Sequence, residues 1–241
     1  MRILIVNDDG IGASQLAALI RWCRKLGEVT AAVPKYEQSG KSHSIELHRD
    51  FEARQVTLAP DITAWAVDST PADCVRFAVL GLKQEFDLVI SGINRGLNIG
   101  TDSMYSGTVG AACEAVNLGI PAIALSTQPK YYDRAVEHLD SIFQYIRERE
   151  LLCLNNLYNI NIPADPRGIR ITRQGGPYYS DDFPCVGDGI YRPTGKSVWR
   201  DSGDDSLDTD ATLRGRFITV TPLTVDKTNH RVYQLLSRQN P

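Results

Sequence analysis

Asp8 and Asp9 stand side by side at the end of an apolar run, and this is where the chain first concentrates chemistry. Adjacent carboxylates repel each other, and on a regular strand they point to opposite faces. They converge on one point only where the backbone turns, and Gly10 permits such a turn. Two readings of the pair are open. Either the carboxylates hold a hard divalent cation, which takes oxygen ligands, or one of them caps the helix that follows. Two later loops offer further hard donors: Ser39 in Gln38-Ser39-Gly40-Lys41-Ser42, and Asn94 in Ser91-Gly92-Ile93-Asn94-Arg95-Gly96. Two carboxylates, a hydroxyl and an amide oxygen suit magnesium or manganese. The two carboxylates balance one divalent ion and leave coordination positions for water and an anionic substrate. Taken singly, Ser39 and Asn94 are equally at home as turn residues. A fourth stretch, Tyr105-Ser106-Gly107-Thr108, opens a helix, where hydroxyls and free backbone N–H groups suit a phosphate.

The elements that must position these residues are legible in the hydrophobic pattern. Arg2 to Val6 is a β-branched run without Gly or Pro, as in a strand buried on both faces. Ser14 to Leu26 carries apolar residues at helical spacing and closes on Gly27. Glu28 to Val33 is a second strand. Strand, helix, strand in this length is a βαβ unit with a right-handed crossover. Residues 45–67 predict a hairpin insertion. Ser69-Thr70-Pro71-Ala72-Asp73 starts a helix reaching about Lys83, with a capping hydroxyl, Pro in the first turn and an acid beyond. Phe86 to Ser91, Ala122 to Leu125, Leu157 to Ile162 and Phe217 to Val220 read as strands. Thr108 to Leu118, Arg134 to Glu150 and Asn229 to Leu236 read as helices. Residues 173–215 are rich in Gly, Pro and Asp and lack periodicity. An irregular segment of that length is uncommon inside a compact domain, so it reads as an arm that packs on another subunit.

Composition narrows the function classes. The chain has 241 residues, 42% apolar and 23% charged, which is ordinary for a globular protein. Its formal net charge of −3 offers no field for a nucleic-acid polymer. No apolar run approaches a membrane span, and no signal-peptide pattern precedes the first strand. The cysteines (Cys23, Cys74, Cys113, Cys153, Cys185) are scattered and odd in number, against a zinc or disulfide framework. A reducing cytoplasm fits best. Gly10-Ile11-Gly12-Ala13-Ser14-Gln15 fails as a dinucleotide fingerprint, because Gln15 replaces the third glycine and a diacid precedes it. Gly40-Lys41-Ser42 fails as a P-loop, because Lys35 stands where its first glycine belongs. His43, His48, His138 and His230 show no metal-ligand spacing.

Taken together, NDDG at 7–10, QSGKS at 38–42, STPADCV at 69–75, SGINRGLN at 91–98 and YSGTVGAACEA at 105–115 closely resemble the SurE family of survival-protein phosphatases. The match keeps order and spacing over residues 1 to about 125. TVTPL at 219–223, followed by Asp226 and His230, looks like the family's C-terminal pattern, and residues 127–215 match only in general character. The resemblance implies a metal-dependent 5′-nucleotidase acting on nucleoside monophosphates, with 3′-nucleotides and short polyphosphate as further substrates. It implies an α/β, Rossmann-like catalytic core over residues 1–171, with a mostly parallel sheet and helices on both faces. A C-terminal arm with a short helix over 172–241 would be exchanged between subunits of a homodimer or homotetramer. The family's metal ligands fall on Asp8, Asp9, Ser39 and Asn94, for one Mn or Mg ion per subunit, with Asp8 or Asp9 as catalytic base. Its phosphate loop falls on Ser106, Gly107 and Thr108. Asn7, Ser42 and Asn98, in the same motifs, are expected phosphate or substrate contacts. Two departures stand out: Gly12-Ala13-Ser14 where the family commonly has Ala-Pro-Gly, and Ser69 where it commonly has Gly. Neither removes a ligand. Two other readings remain: a phosphatase phosphorylated on Asp8, although Gly10 stands where such enzymes carry a second acid, and a metal- and nucleotide-binding sensor without turnover.

Overall fold

The computed structural model describes residues 1–238. In chain order, the first half comprises β1 (Arg2–Val6), α1 (Leu16–Cys23), β2 (Glu28–Pro34), β3 (Ala53–Ala59), β4 (Ile62–Val67), α2 (Pro71–Arg76), β5 (Leu88–Arg95), α3 (Gly107–Asn117) and β6 (Ala122–Thr127). The second half comprises α4 (Leu139–Glu148), α5 (Leu151–Leu154), β7 (Leu157–Ile162), β8 (Ile169–Ile171), β9 (Tyr179–Asp182), β10 (Cys185–Gly187), β11 (Ile190–Tyr191), β12 (Thr194–Ser197), α6 (Asp208–Leu213), β13 (Ile218–Pro222) and α7 (His230–Ser237). One nine-stranded sheet runs β3-β4-β2-β1-β5-β6-β7-β13-β8.

The interior strands β1, β2, β5, β6 and β7 pair in parallel, and Ile3 to Val6 are fully buried, as helix-covered faces require. On one face α1 and α4 supply Leu16, Leu19, Ile20, Leu139, Ile142 and Ile146. On the other, α2 and α3 supply Cys74, Val75, Val109, Ala111 and Ala115. The expected α/β class, with a mostly parallel sheet and helices on both faces, is thus found. Among the described residues no helix is long and apolar enough to cross a membrane.

Several expectations are corrected in detail. The 45–67 region is a hairpin, but β4 pairs in parallel with β2, so it forms the edge of the sheet rather than an insertion. The helix from 69 continues past α2 as a wide helical turn to Gly81. The helix expected over 134–150 is 3₁₀ over Pro129–His138 and α-helical only over α4. β5 does not stop at Ser91. A register shift between Ser91 and Asn94 lets it rejoin β6 through Asn94 and Arg95, which puts Asn94 on the strand instead of in a loop. Gly92 makes that approach possible, because a Cβ there would lie 2.3 Å from the Leu125 carbonyl oxygen.

The boundary expected at residue 171 is not a boundary of the sheet. β13 lies inside it, antiparallel to β7 and parallel to β8, and α6 is almost wholly buried. What projects is the β9–β12 hairpin with its small β10–β11 tip. α7 begins at His230 with Asn229 as its cap. Residues 239–241 of the expected arm lie outside the described residues.

Asp210 of α6 closes the base of the projecting segment. Its carboxylate accepts from Trp199 Nε1 (2.9 Å), the Ser202 N–H (2.9 Å) and hydroxyl (2.6 Å), and the Asp204 N–H (3.2 Å). Burial opposes its ionisation, but the Ser202 and Trp199 hydrogen bonds outweigh it and hold the carboxyl below its ordinary value. A carboxylate depressed in this way adds stability above its unfolded pKa and loses it as pH falls through the folded pKa. Asp210→Asn is expected to destabilise the protein by about 1–3 kcal/mol at neutral pH. The gap between variant and wild type should shrink below about pH 4, as read by urea denaturation across pH 3–7.

Candidate functional site

The turn after β1 is held by its own residues. Asn7 is buried. Its Nδ2 donates to the Gly10 carbonyl at 3.1 Å, and its Oδ1 accepts from the Gly10 N–H at 3.0 Å. Gly10 has φ +84°, and a Cβ there would sit 3.0 Å from the Tyr36 carbonyl carbon. The Ile11 N–H donates to Pro34 O (2.8 Å) and the Gln38 N–H to Asp8 O (2.7 Å), drawing the loop after β2 against the turn. Asn7 therefore builds the turn. With its amide committed at both ends, it is not placed as a substrate contact.

Of the two readings of the diacid, the structure gives one role to each residue. Asp8 is buried and caps a helix, but the helix is α3, 100 residues away, and not α1. Its Oδ1 accepts the Thr108 hydroxyl and its Oδ2 the Thr108 N–H at 3.0 Å. A carboxylate belongs there, where free N–H groups and the helix dipole favour negative charge. Burial pushes the Asp8 carboxyl up, and the Thr108 hydrogen bonds pull against it. Gly107 makes the approach possible, because a Cβ on it would lie 3.0 Å from Asp8 Cβ.

Asp9 faces outward. It lines an open cavity of about 640 Å³ with Glu37, Ser39, Arg95, Tyr132 and Asp133 among its walls. Its Oδ2 accepts the Arg95 N–H at 3.0 Å. Its pKa is raised to about 6, first by burial and then by the charges of Asp8 and Glu37, against the Arg95 hydrogen bond. The Ser39 hydroxyl donates to Glu37 Oε1 at 2.7 Å. Asn94 adjoins Arg95, and its Nδ2 donates to Gly96 O at 2.9 Å. Its Oδ1 has no partner among the described hydrogen bonds. Asp9 and Ser39 thus share one cavity with Arg95, the residue after Asn94, while Asn94 itself and buried Asp8 are not among the cavity's lining residues.

The remaining expected contacts divide. Ser106 caps α3, its oxygen accepting the Val109 N–H at 3.1 Å. Its own O–H and the Gly107 N–H meet no acceptor among the described hydrogen bonds. Thr108 is committed to Asp8. Asn98 is a framework residue: Nδ2 donates to Ser126 Oγ (2.8 Å), and its carbonyl accepts from Asn159 and Asn161. Ser42 is a framework residue too, its hydroxyl donating to Met104 O at 2.6 Å and its N–H to Tyr105 O at 3.0 Å. The strand of chain holding Ser42 lies on α3 where Gly110 leaves room, since a Cβ there would be 2.1 Å from Ser42 O. His43 anchors it to buried Glu114, 2.7 Å away, which also accepts from Arg76 at 3.0 Å.

Sequence reasoning missed Glu37 and Arg95. Arg95 lies within a motif already singled out, one residue after Asn94, and Glu37 immediately precedes another, two residues before Ser39. A carboxylate beside a candidate ligand hydroxyl was the available signal. Among the described residues no three His, Cys, Asp or Glu side chains group closely enough to hold a metal alone. A cation here needs amide and hydroxyl oxygens as well. The donor types fit a hard divalent ion: the Asp9 carboxylate and the Ser39 hydroxyl line one cavity, and the Asn94 amide oxygen, one residue from Arg95, accepts no hydrogen bond among the described residues.

A family model described as survival protein SurE matches residues 3–181. The chain is 40% identical to the 5′-nucleotidase SurE of Syntrophotalea carbinolica, over 99% of this chain and 97% of the relative. It is 38% identical to the 5′-nucleotidase SurE of Desulforudis audaxviator, with the same coverage of 99% and 97%. The crystal structure of a SurE protein from Aquifex aeolicus superposes with a TM-score of 0.79 at 30% identity, covering 99% of each chain.

Thr108→Val keeps shape and backbone N–H but removes the hydroxyl from a buried carboxylate. Hydrogen bonds to charged groups contribute about 1.5–3 kcal/mol, and urea denaturation at pH 7 should show a loss of that size.

Proposed function

The chain belongs to the survival protein SurE family and is a 5′-nucleotidase, and we propose that it releases phosphate from nucleoside 5′-monophosphates with one divalent cation, Mn or Mg, per subunit. The observation that carries the metal reading is the cavity lined by Asp9, Glu37, Ser39 and Arg95, the residue after Asn94. Asp8, Asp9, Ser39 and Asn94 would hold the cation. When bound, it supplies Lewis-acid polarisation of the phosphate and a water of lowered pKa.

The chain's own groups take the remaining roles. Asp9 faces the cavity and orients the attacking water, accepting its proton. The Ser106 O–H and Gly107 N–H, free of other acceptors, meet the equatorial oxygens of the phosphate, where charge develops. Thr108 acts through Asp8, fixing that carboxylate between the helix start and the cavity. Because Gly10 stands where enzymes phosphorylated on an aspartate carry a second acid, direct attack by water is favoured over a phospho-aspartate. Arg95 lines the cavity as a cation for the incoming anion.

The same reading extends to 3′-nucleotides and short polyphosphate, and to a homodimer or homotetramer in the cytoplasm. Exposed Phe183, Ile190 and Tyr191 on the projecting segment, with Tyr233, Leu235 and Leu236 on α7, support an arm that meets another subunit. No nucleic-acid polymer or membrane partner is expected.

Phosphate release from a panel of 5′- and 3′-nucleoside monophosphates, with Mn, with Mg and with EDTA, tests the reading. Metal-dependent release that EDTA abolishes is the expected result. Folded wild-type protein inactive under every metal would replace the phosphatase with a sensor. Asp9→Asn should weaken metal binding and lower the rate by roughly 10²–10⁴-fold, with an unchanged circular dichroism spectrum. Full activity of the variant at saturating metal would remove Asp9 from its role.

A further inference from the structure

The segment that leads to Ser106 and Gly107, the proposed phosphate donors, is held by residues outside the cavity. It is a 3₁₀ turn over Gly100–Tyr105, and two carboxylates clasp it to the root of the projecting hairpin. Asp208 of α6 is 1% exposed. Its Oδ1 and Oδ2 each lie 3.1 Å from the Gly100 N–H, and its Oδ1 also accepts the Gly175 N–H at 2.7 Å. From the other side, Asp102 Oδ2 accepts the N–H groups of Tyr178 (3.1 Å) and Tyr179 (2.7 Å), the residues that start β9. Gln174 Nε2 adds a bond to Gly100 O at 2.9 Å. The fit is close: Gly100 has φ +59°, and a Cβ there would lie 1.9 Å from Gly176 O. The 3₁₀ turn then passes the constraint on, since Ser103 O accepts the Ser106 N–H at 3.3 Å.

We propose that Asp208 is a positioning residue for phosphate binding and release, and that with Asp102 it ties the approach of Ser106 and Gly107 to the root of the hairpin. Neither side chain lines the cavity. Asp208 accepts backbone N–H groups that would otherwise be left unpaired in a buried or half-buried setting, which is costly, and Asp102 ties the same turn to the hairpin from its more exposed side. Displacement of donors by a fraction of an ångström is enough to weaken contacts to the phosphate that ground state and transition state share, which raises KM. The inference rests on the phosphatase reading for its kinetic part only.

The test uses full-length wild type, Asp208→Asn and Asp102→Asn. An asparagine at 208 offers one acceptor oxygen in place of two, and Asp102 sits on the partly exposed turn, where replacement spares α6. Both variants should lose about ten- to hundred-fold in kcat/KM for a 5′-nucleotide, mainly through KM. The manganese dissociation constant should stay within about twofold, because no proposed ligand is touched. Amide exchange should quicken in residues 98–107, and inorganic phosphate with manganese should protect that segment in wild type but not in the variants. Wild-type kcat/KM in both variants, or a parallel loss of manganese affinity, would overturn the proposal. If Asp208→Asn fails to fold, Asp102→Asn decides. If wild type shows no turnover, the phosphatase reading falls. Protection by phosphate then decides the clasp by itself: its loss in the variants supports the proposal and its retention overturns it.

Discussion

The structure depends on one buried contact, the carboxylate of Asp8 laid across the start of α3. β1 is an interior strand of the sheet and α3 packs on the neighbouring strands β5 and β6, and Thr108 joins β1's end to α3 with two hydrogen bonds. A buried carboxylate is costly without partners. Here the partners are a helix N-terminus and a hydroxyl, so the charge is matched where the backbone dipole favours it. The geometry allows no slack. Gly107 must lack a side chain for Asp8 to reach, and Gly110 must lack one for the Ser42 loop to lie down. The small residues of α3, which give it little amphipathic character of the ordinary kind, are explained by these approaches more than by its own propensity.

From that contact the loops are built outward, each braced on its neighbour. The diacid turn is stapled by Asn7 and holds the 34–38 loop. The Ser42 loop is hung from Met104, Tyr105 and Glu114. The Asn98 turn is clamped by Asn159 and Asn161 on β7. Most of the polar residues that the motifs contain are therefore scaffold, and a minority face the cavity. This is the pattern expected where reactive groups must be held within a fraction of an ångström: the second layer of hydrogen bonds uses as many side chains as the first.

What the sequence made legible follows from which signals are local. Apolar runs gave β1, β2, β6 and β7, and Thr70-Pro71 gave the start of α2, because strand burial and capping chemistry act over a few residues. The place of β13 was not legible. Its strand pattern is visible, but Thr219 and Thr221 face buried hydroxyls of Thr212 and Thr172, so its inward positions look polar. The roles of Asp102 and Asp208 were hidden for a related reason. A carboxylate that accepts backbone N–H groups from a segment far along the chain has the same letter as one on the surface. Asn94 was identified in type and misplaced in structure, because the register shift that returns β5 to β6 is decided by Gly92 against Leu125, a tertiary contact.

The charge at the site carries its own argument about order of binding. A nucleotide phosphate is an anion, and the cavity presents Asp9, Glu37 and Asp133 against Arg95, with Asp8 behind. Burial first, and then the charges of Asp8 and Glu37, raise Asp9 to about 6, so the site disfavours further negative charge. Arg95 and the α3 N-terminus attract phosphate, but Asp8 occupies much of that N-terminus. On the proposed reading, the divalent cation reverses the balance, so substrate affinity is conditional on metal. The protein then needs no large positive surface to find its substrate, in keeping with its small net negative charge. On the same reading, discrimination between phosphate and other anions would rest on Ser106 O–H and Gly107 N–H, which meet no acceptor among the described hydrogen bonds and follow the clasped turn.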